Sequence, residues 1–283
     1  MGAFLEKPKT EKVTDKGEGL GIRYGVSAMQ GWRMEMEDSH VCNTSFPLEG
    51  WGFFGVFDGH AGPKVSQYCS QNLLDCILES IDTDSQKELS VDAAKEGIHK
   101  GFLKLDENLK KLPQCASGED RSGTTAIVVM VSPDKIIWAN CGDSRGLLCR
   151  GGKLEFATVD HKPYNDVEKS RIERAGGTVM MQRVNGSLAV SRALGDFDYK
   201  RATELPATEQ LVSPEPEITI HERDSSNDEF IFLACDGIFD VMTNEEVISY
   251  IRHHLKLTDD LAKICSDLID TCLNKVYMIS CSN

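Results

Sequence analysis

Three short segments place an aspartate just beyond an apolar run. Residues 52–57 lead into Asp58-Gly59-His60, residues 230–235 into Asp236-Gly237, and residues 135–140 into Cys141-Gly142-Asp143. A carboxylate at the end of a core strand is held rigidly at the edge of a cleft. Several such groups repel one another unless they are protonated or bridged by cations. No His/Cys cluster has zinc-type spacing, so oxygen ligation favours hard ions, magnesium or manganese. Gly59 has no side chain, and its carbonyl could approach an ion closely.

Asp-Gly is also a hairpin turn signal. That reading suits the first two segments poorly. Asp58-Gly59 leads into a helical pattern after Pro63, and Asp236-Gly237 leads through Ile238-Phe239-Asp240 towards another at Thr243. For Asp143, followed by Ser144-Arg145-Gly146 and a further strand pattern, turn and site readings both stand. Arg33-Met34-Glu35-Met36-Glu37-Asp38 adds a cation beside three acids. If extended, it puts Arg33, Glu35 and Glu37 on one face and Asp38 on the other. Taken alone, it reads better as a self-neutralising surface strand, and it becomes specific only alongside the aspartates.

The elements that must hold these groups show in the periodicity. Val65, Tyr68, Cys69, Leu73, Cys76 and Ile77 share a helical face, with Pro63 near its start. Ile98, Phe102, Leu105 and Leu109 form a second stripe. Val247, Ile248, Ile251 and Leu255 form a third, opened by a capping box at Thr243-Asn244-Glu245-Glu246. Leu261, Ile264, Cys265, Leu268 and Cys272 form a fourth. Strand-like runs cover 51–57, 124–131, 135–140, 146–150 and 230–235. Several are continuously apolar, as in strands covered on both faces. Helices in pairs around many strands predict a layered α/β arrangement with a large β core. Polar loops are expected at 82–90 and 221–228. Residues 1–18 are polar and read as an arm, ahead of one domain over 19–283.

The chain has 283 residues, 40% of them hydrophobic, enough for a sizeable core. No apolar stretch of about 18 residues predicts a membrane span, and the N-terminus has no secretory h-region. Ten cysteines without CxxC pairs read as reduced thiols. The net charge of −14 argues against nucleic-acid binding through bulk charge. It also means that a phosphate-ester substrate would need local positive charge, which divalent cations could supply.

Six segments in order resemble the motif series of metal-dependent type 2C protein serine/threonine phosphatases, most of all the animal alpha/beta subgroup. They are Gly31-Trp32-Arg33-Met34-Glu35-Met36-Glu37-Asp38, Phe57-Asp58-Gly59-His60-Ala61-Gly62, Asp120-Arg121-Ser122-Gly123-Thr124-Thr125-Ala126, Asn140-Cys141-Gly142-Asp143-Ser144-Arg145, residues 184–196, and Ala234-Cys235-Asp236-Gly237-Ile238-Phe239-Asp240-Val241. The resemblance spans residues 1–275. It implies an α+β fold: a four-layer α/β/β/α sandwich of two packed, mainly antiparallel β-sheets flanked by helix pairs. It also implies hydrolysis of phosphoserine and phosphothreonine by a water activated at two magnesium or manganese ions, with a weaker third ion.

The same resemblance implies roles. Glu37, Asp58 and the Gly59 carbonyl would hold one metal, and Asp58 and Asp236 the other. Asp38 would bind water at that pair. Asp143, Asp236 and Asp240 match the third site. Arg33 would clamp the phosphate with its forked donors. His60 would protonate the leaving oxygen, with a structural role as the alternative. Arg183 lies where a substrate-flanking flap begins to return. None of the cysteines need act as a nucleophile.

After Asp270-Thr271-Cys272-Leu273-Asn274-Lys275 the family pattern continues into a Gly-rich loop with an Asp-Asn pair and a last core strand. Here Val276-Tyr277-Met278-Ile279-Ser280-Cys281-Ser282-Asn283 follows, without the pair. The metal shared by Asp58 and Asp236 is then expected to bind more weakly, with Asn283 or water as substitutes. The core is expected to lack its last strand unless the apolar run 276–281 pairs as one. This leaves two functional readings: a working phosphatase, or a phosphoprotein-binding pseudophosphatase. A purely structural sandwich would not account for aspartates ending several strands. Met1-Gly2 fits N-myristoylation at Gly2, although Glu6 departs from the general pattern; one such chain gives only weak membrane contact. A cytoplasmic monomer acting on phosphoproteins is expected.

Overall fold

The computed structural model describes residues 4–45, 50–81 and 89–281, with side chains for 5–45, 50–81 and 89–275. The chain opens with β1 (Phe4–Gly19) and β2 (Ile22–Arg33), then β3 (Ser39–Asn43), β4 (Gly52–Phe57) and the short β5 (Gly59–His60). Helices α1 (Lys64–Leu78), α2 (Val91–Lys111) and α3 (Pro113–Ser117) follow. Next come β6 (Gly123–Thr124), β7 (Ala126–Val131), β8 (Lys135–Cys141), β9 (Arg145–Arg150) and β10 (Lys153–Ala157). Helix α4 (Asp166–Arg174) begins an excursion carrying β11 (Val179–Met180), β12 (Arg183–Val184) and β13 (Leu194–Gly195). The chain then returns through β14 (Glu217–Glu222), β15 (Asp228–Ala234), α5 (Asp236–Phe239), α6 (Asn244–Leu255) and α7 (Leu261–Cys281).

Five strands form an antiparallel sheet in the order β14-β8-β7-β4-β3. Its central strand β7, Ala-Ile-Val-Val-Met-Val, is buried at every position. That explains the unbroken apolar run: α1 and α2 cover one face and a second sheet covers the other. On the helix side, Leu73, Ile77, Ile98, Phe102 and Leu105 pack with Phe53, Val128 and Ile137. On the other side, Val129, Val131, Ile136 and Trp138 pack with Leu148, Ile231 and Leu233 from the second sheet, β10-β9-β15. The far face of that sheet meets α6 and α7, where Leu147, Cys149 and Ala234 join Val247, Ile251, Ile264 and Leu268. Helices, sheet, sheet and helices therefore make the expected four layers.

Helix α6 starts at the expected capping box: Thr243 accepts from the Glu246 amide while the Glu246 side chain accepts from the Thr243 amide. The apolar stripes of α1 and α2 face inward as their spacing predicts.

Three local features differ from the sequence reading. Residues 4–19 form a strand paired along β2 from Lys9↔Gly31 to Gly19↔Ile22, anchored to α7 by Lys12–Asp270 (2.7 Å) and to the residue just before that helix by Lys16–Asp260 (2.9 Å). The segment 34–38 is not extended, because β2 ends at Arg33; the shared-face geometry drawn for Arg33, Glu35 and Glu37 does not apply. Residues 276–281 continue α7 as helix rather than pairing as a strand. A short apolar run fits either period, and here it extends a helix already under way. Gly2, Asn283 and residues 82–88 of the expected polar loop lie outside the described residues.

Candidate active site

The C-terminal end of β4 delivers Asp58. Its amide donates to Thr125 Oγ1 (3.3 Å), its carbonyl accepts from the Thr125 amide (2.9 Å), and Thr125 Oγ1 pairs with Ser144 Oγ (2.7 Å). Thr125 thus links the turn bearing Asp58 to the turn bearing Asp143. Asp236 follows β15 after a single residue, Cys235, as the first residue of α5. Glu37 reaches in from the loop after β2, where its Oε1 accepts from the Gly62 amide (2.6 Å). The Glu37 carbonyl accepts from Ser66 Oγ. Gly59 lies so close to the Glu37 carbonyl that a Cβ there would collide with it. Glycine is therefore needed for the Glu37 loop and the Asp58 turn to come together.

Asp38, Asp58 and Asp236 are half-open to solvent yet densely surrounded by protein. Burial, then the charge of Asp38 and of Asp143, raises the Asp58 carboxyl; burial and Asp236 likewise raise Asp38. Asp236 is pushed up to about 8 by burial and by Asp58, Asp143 and Asp240. Asp240, exposed at the rim, is raised by burial and Asp143. These carboxylates carry negative charge that the protein compensates only in part, the condition that a bound cation relieves. The donors are all oxygens, which suits magnesium or manganese. Among the described residues no three such side chains converge on a ready-made coordination point. Within this group, Lys162 Nζ lies 2.5 Å from Asp143 Oδ2.

Arg33 stands at the end of β2, largely exposed, with Nη2 4.0 Å from Glu37 Oε2. His60 Nε2 lies 2.7 Å from Asp196 Oδ2. A three-strand ribbon makes that contact: His60 on β5 pairs with Gly123 on β6, Gly123 pairs with Gly195 on β13, and Asp196 follows. A Cβ at Gly123 would strike both the Asp196 carboxylate and the His60 ring, so the centre of the ribbon must be bare. Burial works against the imidazolium, but the Asp196 charge and hydrogen bond outweigh it and raise the His60 pKa.

Asp58, Asp236, Asp38, Glu37, Gly59, Asp143, Asp240, Arg33 and His60 thus line one region. Arg183 does not join them: it is exposed on β12 and donates to the Ser187 carbonyl (2.7 Å) within its own hairpin. Asp196 and Lys162 were missed from sequence. Asp196 had a signal, since Leu194-Gly195-Asp196 repeats the apolar-Gly-Asp pattern of Cys141-Gly142-Asp143. Also missed was a knot behind the site. Glu168 on α4 accepts from Arg192 Nε (3.0 Å) and Nη2 (2.7 Å), Arg171 Nη1 (2.7 Å) and Ser191 Oγ (2.7 Å).

Known proteins give this geometry its relatives. The family model described as Protein phosphatase 2C matches residues 22–277. Human "Protein phosphatase 1A" is 56% identical over 278 residues, covering 97% of this chain and 73% of the relative. Mouse "Protein phosphatase 1B" is 54% identical over 283 residues, covering 97% and 72%. A crystal structure of a phosphatase from Toxoplasma gondii superposes with a TM-score of 0.72 at 25% identity, over 96% of this chain and 90% of that one. With the family model running from the first core strand to the last helix, this chain belongs to the protein phosphatase 2C family.

Proposed function

We propose that the protein hydrolyses phosphoserine and phosphothreonine in other proteins, using two divalent cations, magnesium or manganese. The observation that carries this reading is the set of mutually repelling carboxylates, Asp58, Asp236 and Asp38, beside Arg33 and the His60–Asp196 pair. Glu37, Asp58 and the Gly59 carbonyl would hold one cation, and Asp58 and Asp236 the other; Asp143, Asp236 and Asp240 would hold a weaker third. When bound, such a pair of cations supplies an acidified water as nucleophile and neutralises phosphate charge.

The chain's own residues do the rest. Arg33 presents a forked guanidinium at the rim and orients the phosphate. Asp38, adjoining Asp58, holds the attacking water in line. His60 spends Nε2 on Asp196, so the proton for the departing serine or threonine oxygen must come from Nδ1. A cysteine nucleophile is disfavoured. Burial, with the charges of Asp38, Asp58 and Asp236, raises the Cys235 thiol well above its ordinary value, and the thiolate is the reactive form. Arg183 would meet residues flanking the phosphate only if its hairpin moves. Myristoylation of Gly2 would add weak membrane contact to an otherwise cytoplasmic protein. Among the described residues no helix is long and apolar enough to cross a membrane.

The test is phosphate release from a phosphothreonine peptide across a manganese titration, alongside Asp58→Ala. Activity should rise with manganese and fall at least 100-fold in Asp58→Ala. A second reading, phosphoprotein binding without turnover, draws on the carboxylates themselves: among the described residues no three of them converge on one coordination point. Folded protein that binds the peptide but releases no phosphate at any manganese concentration would favour it.

A further inference from the structure

The carboxylate group already contains a cation of its own. Lys162 lies in the loop between β10 and α4, and its ammonium donates to Asp143 Oδ2 at 2.5 Å, with Asp143 buried. Its charge also acts on Asp236 and Asp240. Asp160, the other nearby carboxylate, is already engaged by both arms of Arg145, at 2.9 Å each.

The loop does not need this ion pair to hold its place. His161, one residue earlier, is fastened to the turn that bears Asp143: the His161 amide donates to the Gly142 carbonyl (2.9 Å) and the Gly142 amide donates to His161 Nδ1 (3.2 Å). Ser191 closes on the His161 carbonyl from the other side through its hydroxyl (2.8 Å). The backbone under Lys162 is therefore fixed, while its side chain is partly open to solvent and free to leave on its flexible stem.

We propose that Lys162 is a tethered competitor for the third divalent cation: its ammonium neutralises Asp143 in the cation-poor enzyme, and an ion held through Asp143, Asp236 and Asp240 must displace it. Two positive charges on one carboxylate repel, so the two occupancies exclude each other. Lys162 is then a positioning residue that sets how much divalent cation the weak site requires. This rests on the reading that these carboxylates bind cations.

Equilibrium manganese binding by the whole chain tests it, read by the electron paramagnetic resonance of free Mn2+ and by calorimetry, with no substrate present. Lys162→Gln should tighten the weakest binding step about tenfold, the order expected for removing one nearby charge, and leave the tighter steps within about twofold. Lys162→Arg, which keeps the charge, should stay near the parent. In an Asp143→Asn background, Lys162→Gln should have no effect. A folded Lys162→Gln protein with an unchanged or weakened last step would overturn the inference and leave a structural ion pair. No manganese binding by the parent chain would overturn the proposed cation centre as well.

Discussion

At His60 the fold sets an imidazolium against its own desolvation. The Asp196 carboxylate, on a residue with φ of 52°, keeps the imidazole charged to higher pH than burial alone would allow. In the proposed role of general acid His60 is active while protonated, so the rate should fall as pH rises through its pKa. Asp196→Asn removes the charge but keeps the shape. Its kcat should drop about 10- to 100-fold and the alkaline limb of its pH–rate profile should move to lower pH, with manganese affinity unchanged. An unmoved limb would make Asp196 a structural residue. Asp58 and Asp236 could be read from sequence because each closes an apolar run, and that pattern is local. Lys162 could not, since its partner Asp143 comes from another element and no periodicity links them.

At the scale of elements, the excursion around α4 hangs on Glu168. Burial opposes its charge, yet Arg192 and Arg171 hold the carboxyl down at about 2 against an ordinary 4.5. A depressed carboxylate contributes stability above its unfolded pKa and loses it as pH falls towards the folded value, so this contribution should vanish between about pH 4.5 and 2. Glu168→Gln leaves two guanidinium groups partly unpaired and should cost about 3–5 kcal/mol in urea unfolding; a loss within 1 kcal/mol would mean that the backbone carbonyls accepting from Arg171 and Arg192 suffice. Helices α1, α2, α6 and α7 were legible because their apolar stripes and the Thr243 cap are local signals; the polar α4, with Val167 and Ile172 as its only apolar residues, was not. Strand β1 was not, because Lys, Glu and Thr along it show no apolar alternation and its pairing is tertiary. Strand β2 did carry a signal, in the alternating Ile22, Tyr24, Val26 and Ala28.

For the whole molecule, the net charge of −14 is felt most where carboxylates crowd. Asp236 titrates at about 8 in the fold against an ordinary 3.8. A carboxyl raised on folding binds its proton more tightly in the native state, so cation-free stability should decline as pH rises from about 4 to 8. Divalent cations remove that penalty but compete with the proton. The rise in Tm on adding magnesium to chelator-treated protein should therefore be larger at pH 8 than at pH 6, by scanning calorimetry; an equal rise would mean that Asp236 is ionised throughout. The seating of β2 has a different consequence. Cys265 Sγ meets the Gly25 carbonyl across 240 residues of chain, and a Cβ at Gly25 would run into the start of α7. The ribosome makes β4, β8 and β15, which deliver the acidic residues, before it makes α7. During synthesis the strand that ends on Arg33 therefore lacks this cover until α7 has been made.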